Sequence, residues 1–219
     1  MLPFDAESLF ALHTRFWQET WPITAPILLA HLLALWLALR GSRDGRVPIA
    51  LLALGWIWLA GAWLFRYLAT LDFSAPLYAL LFALQGVLLI VHGPIRGRLA
   101  MSFEPGAAQV TGLAILAFAA IGYPLLDLGF DADAFGVRLV GAAATPTALF
   151  CLGLLLSASP RIPMHLFVLP VLWSLIAGFR GWVLDLPADL LAPGIAAVAL
   201  TAALRHNRRQ SANSTQVAT

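Results

Sequence analysis

Apolar residues in this chain come in long runs, not in the stripe of an amphipathic surface helix. Seven runs stand out, at about residues 21–39, 47–67, 76–92, 106–126, 139–158, 163–184 and 188–204. Each approaches the roughly 20 apolar residues that a helix needs to cross a bilayer. Backbone polar groups in hydrocarbon must be bonded within the segment, so the runs predict helices. The short alternating segments of a membrane β-barrel are missing from the sequence. The expected fold class is therefore all-α: a polytopic protein with seven transmembrane helices.

The flanks differ from the runs. Residues 1–20 predict a short interfacial amphipathic helix that Asp5 could N-cap, with Leu9, Leu12, Phe16 and Glu19 on one face and Trp17 and Trp21 suited to the outer interface. A water-exposed N-terminal extension is the alternative. The polar segment 205–219 has no apolar period and predicts a disordered cytoplasmic tail. The seven-helix domain is expected over 21–204.

Composition agrees with lipid as the solvent. Hydrophobic residues make up 61% of the 219 and charged residues only 11%, against roughly a quarter in soluble domains. The first 20 residues lack a basic n-region, so no cleavable signal peptide is expected. Every basic side chain is arginine, thirteen in all, and the chain has no lysine. Arg40, Arg43, Arg46, Arg96, Arg98, Arg161, Arg205, Arg208 and Arg209 follow alternate runs, and these nine define one side. The other side carries Asp5, Glu7, Glu19, Asp72, Asp127, Asp131, Asp133, Asp185 and Asp189. The positive-inside rule makes the arginine side cytoplasmic, which predicts N-out and C-in in a bacterial inner membrane. It also explains the pI of about 9.2 without a nucleic-acid partner.

Two runs echo one another. Pro48 and Trp58 are ten residues apart, as are Pro163 and Trp173. Arg66 follows Pro48 by 18 residues and Arg180 follows Pro163 by 17. Leu71-Asp72 then matches Leu184-Asp185. The order R-[VI]-P, W, R, L-D predicts a parallel 3+1+3 repeat, with units at about 21–92 and 139–204 joined by a linker helix at 106–126. That plan resembles the architecture of the small sugar transporters called SWEETs, although their Pro-Gln loop motif is absent.

The sequence also resembles a family of uncharacterised bacterial integral membrane proteins of about this length. The resemblance rests on MLPFDAE, TWP at 20–22, LDFSAP before LYALLFALQG, GYPLLDLGF and TPTALFCLGLLL. The family pattern has a Tyr-His pair ending its second span, a Gly-His-x-Tyr-Pro stretch before the fifth, and a Pro-Cys-Pro-Thr element opening it. Here those places hold Arg66-Tyr67, Gly129-Phe130-Asp131 and Ala144-Thr145-Pro146-Thr147. A metal or redox role resting on the family's His and Cys positions does not transfer. The resemblance implies a topology and no activity.

Polar residues inside apolar runs are costly and so are functional candidates. His31, Gln85, Thr147 and Ser174 fall near mid-run, and with Trp58 and Trp173 they are expected to line a midplane cavity between the two repeats. His31 is expected to pair with Gln85. Arg66, Asp72, Arg180 and Asp185 form a second candidate set at the outer mouth, as salt bridges or an anion trap. Binding or transport of a small molecule is the leading functional expectation. An accessory or structural subunit of a membrane complex is the alternative, and a membrane enzyme with an unfamiliar site is the second. The expected partners are the bilayer, a small-molecule ligand, and another membrane protein or a second copy.

No catalytic residue or cofactor is expected. Retinal chemistry needs a lysine, and no hydrolase elbow, H-E-x-x-H, C-x-x-C or phosphate loop occurs. Cys151 is the only cysteine, and five scattered histidines make a multi-histidine metal site hard to build.

Overall fold

The computed structural model describes residues 4–41, 44–97, 99–101, 106–130, 136–159 and 161–217. Arg43, Arg98, Asp131 and Asp133, which entered the charge pattern, lie outside them. The described chain is almost entirely helical. Six helices are long and apolar enough to cross a membrane, and one shorter helix completes the set.

Helix α1 (Ala6–Leu39) opens on Asp5, whose carboxylate accepts the Ser8 N–H at 2.8 Å. That bond stabilises the ionised form and holds the Asp5 carboxyl below its usual range. No break separates an interfacial helix from a first span. The helix runs on through Pro22 and Pro26. At 1.5 Å per residue its 34 residues reach about 50 Å, longer than the hydrocarbon core. Its first turns bury Leu9, His13, Phe16 and Thr20 against the protein, so this segment packs on the bundle instead of lying flat on lipid. Phe16 meets Trp63 at 5.3 Å and Tyr67 at 5.1 Å between ring centres. Leu9 and Phe16, expected on a lipid-facing side, meet protein instead, together with His13 and Thr20.

Helix α2 (Arg46–Trp58) widens into π geometry over Leu59–Tyr67 and tightens over Leu68–Thr70. Helix α3 (Ala75–Ile90) likewise ends in a wide turn, Val91–Ile95. Helices α4 (Ala107–Ala117) and α5 (Tyr123–Leu128) join through another, Phe118–Gly122. Helix α7 (Val168–Val183) and helix α8 (Pro187–Val217) form the closing hairpin. The corner between them puts Asp185 at φ 53°, and the Leu186 N–H reaches the Gly181 carbonyl at 2.8 Å. That is a Schellman-type helix end, with Asp in a left-handed position it tolerates. The polar stretch from 205, expected to be disordered, continues α8 to Val217.

The fifth apolar run departs most from expectation. Helix α6 (Ala144–Leu155) has only 12 residues, about 18 Å, and cannot cross 30 Å of hydrocarbon alone. All 12 are buried, and the helix packs against α2, α4, α7 and α8. The stretch 136–143 before it is irregular yet also buried, apart from a half-buried Leu139. Irregular backbone is stable at such depth only where protein satisfies its polar groups. Here the Arg138 N–H bonds Asp127, the Gly141 N–H bonds the Thr147 hydroxyl at 2.7 Å, and the Ala142 and Ala143 N–H groups bond the Leu139 carbonyl.

Cross-chain contacts define two ends. At one, the Gly45 N–H bonds the Leu99 carbonyl, β1 (Ala100–Met101) pairs antiparallel with β2 (Ala158–Ser159), and Ile162 bonds Asn207. The arginine-bearing connections therefore meet. At the other end, Glu19, Tyr67, Asp127, Arg138, Arg180 and Asp189 gather.

Candidate functional site

The mid-run polar residues are all present in the interior, but they do not share a space. His31, Gln85, Thr147 and Ser174 each have 0% of their surface exposed, so none touches a cavity that admits water. Three of the four find a partner one turn away in their own helix. His31 Nδ1 lies 2.8 Å from the Ile27 carbonyl one turn back. A carbonyl only accepts, so Nδ1 carries the proton. Ser174 donates to the Pro170 carbonyl at 2.8 Å, and Thr147 to the Ala143 carbonyl at 2.6 Å. Gln85 is not the partner of His31. Its amide donates across the bundle to the Leu166 carbonyl at 3.0 Å and lies 4.0 Å from the Cys151 sulfur.

His31 is instead enclosed by glycine. A Cβ on Gly55 would overlap the imidazole ring, and one on Gly141 would sit 3.0 Å from Nδ1. Gly141 also adopts φ +80°, a left-handed conformation that favours glycine. Phe150 closes the remaining side edge-on at 5.6 Å. Trp173 is buried and donates to Thr145 at 3.3 Å. The space between Trp56, Phe82 and Trp173 measures about 10 Å³, room for one water at most.

The outer-end candidates also separate. Arg66 is exposed and stacks over Tyr67 at 5.7 Å. Asp72 is buried and accepts the Ser74 N–H at 2.8 Å, capping its own loop. Asp185 is exposed in the helix corner. Only Arg180 of the four joins a charged network, and its partner is Asp189 at 3.7 Å. Ion pairing of Arg66 with Asp72 or of Arg180 with Asp185 is not found among the described residues.

The network belongs mainly to Arg138 and Asp189, two residues outside the expected set. Arg138 grips Asp127 with two nitrogens, Nη2 to Oδ1 at 2.6 Å and Nε to Oδ2 at 2.9 Å. Its Nη1 reaches Asp189 Oδ2 at 2.5 Å. Tyr123 donates to the other Asp189 oxygen at 2.6 Å. Arg138 lies 5.0 Å from the Tyr123 ring and 5.4 Å from Phe10. Arg180 adds a long contact to Thr145 at 3.5 Å and faces Trp173 at 5.5 Å. Two arginines and two carboxylates leave the cluster neutral, as a dry environment demands. The cluster ties the irregular stretch before α6 to α5, α7 and α8. A signal for it existed: Arg138 stands in FGVRLVGAAA on the acidic side of the bundle, where the positive-inside rule offers no reason for it.

Surface grooves also form among the described residues. One, about 650 Å³, runs between α1 and α2 and includes Glu19, Trp58, Arg66 and Tyr67. The Tyr67 hydroxyl donates to Glu19 beside it. Another, about 710 Å³, lies between α4 and α8 at the arginine-rich end, with Gln109, Arg205 and Arg209 on its walls. The histidines are less scattered than expected, because His92 and His165 touch.

Six long apolar helices around a short buried one define a multi-pass helical membrane protein. Residues 6–214 match the Family of unknown function (DUF6064), and the chain belongs to that family. No curated protein and no solved structure matches it.

Proposed function

We propose that this protein is a non-enzymatic structural or accessory subunit of the bacterial inner membrane, and not a carrier with a midplane cavity. The observation that carries this reading is the complete burial of His31, Gln85, Thr147 and Ser174, each bonded to backbone. A substrate path needs polar groups that face a shared, wet space. These groups each spend a hydrogen bond on backbone, only His31 Nε2 and Gln85 Oε1 among them lack a partner, and the irregular stretch before α6 is held by buried ion pairs. The proposed orientation is N-out and C-in with seven passes, the fifth made of the irregular stretch and α6 together. The 3+1+3 duplication is not part of the proposal, since α1 has 34 residues and α6 has 12.

Single cysteines at positions 31, 85, 147 and 174, in a Cys151→Ser background, test the reading in native membranes. A water-soluble thiol reagent is expected to label none of them until the protein is denatured. Labelling of two or more in native membranes favours the carrier. A second reading has one observation behind it. Trp58 and Arg66 line the groove between α1 and α2, which suits an amphiphile held sideways from the outer leaflet. Native mass spectrometry should then detect a bound lipid that Arg66→Ala removes.

A further inference from the structure

His92 and His165 are 73 residues apart in sequence and meet at the arginine-rich end of the bundle. His92 lies in the wide turn that closes α3. His165 lies in the turn Met164–Phe167 that opens α7. Their Nε2 atoms are 2.8 Å apart and their ring centres 4.3 Å. His92 Nδ1 lies 2.9 Å from the Leu88 carbonyl, so Nδ1 carries the proton and Nε2 turns a lone pair toward His165. A ring nitrogen bonded to backbone while the other faces outward is the arrangement of metal-ligating histidines.

We propose that His92 and His165 form a two-imidazole clamp for a divalent late-transition ion of the Cu2+ or Zn2+ class. Imidazole is a preferred ligand of both. Metal–nitrogen bonds are about 2.0–2.1 Å, so two of them at a cis angle place the nitrogens roughly 2.9–3.4 Å apart. The observed separation needs only a few tenths of an ångström of opening. His165 is exposed and His92 half-buried, which gives an ion access from water. The neighbouring cation, Arg96, is also exposed, where salt screens it. No group of three or more His, Cys, Asp or Glu occurs among the described residues, so water fills the remaining positions. The ion joins the end of α3 to the start of α7.

The test uses the full chain in detergent micelles, with any affinity tag removed, titrated with Cu2+ and followed by electron paramagnetic resonance. One Cu2+ per chain with coupling to two imidazole nitrogens is expected. His92→Gln and His165→Gln are each expected to weaken binding roughly tenfold or more, in line with the cost of losing even an outer partner. His206→Gln, elsewhere at the same end, is expected to leave binding unchanged. A spectrum with one imidazole, or binding unaltered by either substitution, overturns the proposal. If a glutamine variant fails to fold, the native chain decides. Protection of both histidines from diethyl pyrocarbonate by Zn2+, mapped by mass spectrometry, supports the clamp, and no protection overturns it.

Discussion

Arg66 and Arg180 hold matching places in the sequence and opposite places in the fold. Each closes an apolar run, 18 residues after Pro48 and 17 after Pro163. Arg66 ends exposed, over the ring of its neighbour Tyr67. Arg180 ends 7% exposed, against Asp189 and Trp173. What differs is the element standing opposite. Helix α8 begins beside the end of α7 and brings Asp189 into reach. Near the end of α2, Asp72 accepts the Ser74 N–H, and Glu19, which shares an open groove with Arg66, is bonded to Tyr67 and Arg15 instead. A charge can be buried only where another element supplies its counter-charge, and the local sequence does not say whether one will arrive.

The contrast between a buried, paired arginine and an exposed one can be broken most sharply at Arg138, the centre of the network that Arg180 joins. Arg138→Ala leaves Asp127 and Asp189 buried without their main counter-ion. The expected loss is about 3–5 kcal/mol, the usual cost of breaking a buried pair from one side. Thermal unfolding in detergent should show it, and a near-native melting curve would remove the network from the stability argument.

Arg180→Ala against Arg66→Ala tests the opening comparison directly. The first should cost about 1–3 kcal/mol through a weakened charged contact, and the second less than about 0.5. Equal effects would mean that burial of Arg180 has no energetic consequence.

Gly55→Ala probes the first half at depth. Its methyl lands on the His31 ring, so about 1–3 kcal/mol of overpacking is expected. His31→Ala in the same chain should restore much of the loss, and an additive double mutant would show that the two residues do not press on each other.

His31→Leu should have the smallest effect, within about 1.5 kcal/mol and of either sign. It removes one local hydrogen bond together with Nε2, which has no hydrogen-bond partner. A large loss would give His31 a role that its contacts do not explain.

The expectation of a family without an assigned activity agrees with the match over residues 6–214. The helical runs were also legible, because hydropathy is local and a bilayer demands continuous apolar length. Six runs became six long helices, four with ends close to those expected, while the first begins at Ala6 and the last runs on to Val217. The charge alternation was legible for the same reason, and the arginine-bearing connections do come together. The fifth run misled because α6 is as apolar as a lipid-facing helix. Protein interior and lipid interior are equally apolar, so hydropathy cannot distinguish a span from a buried core helix.

Sequence alone thus determined the solvent, the helical class, the long runs and the charge of the two ends, all set by residues near one another in the chain. Tertiary structure alone decided which carboxylate reaches which arginine, which glycine faces His31, that the chain between 136 and 155 is half irregular, and that His92 meets His165. Those outcomes rest on contacts between elements tens of residues apart, where the spacing of one helix carries no information about the side chains of the next.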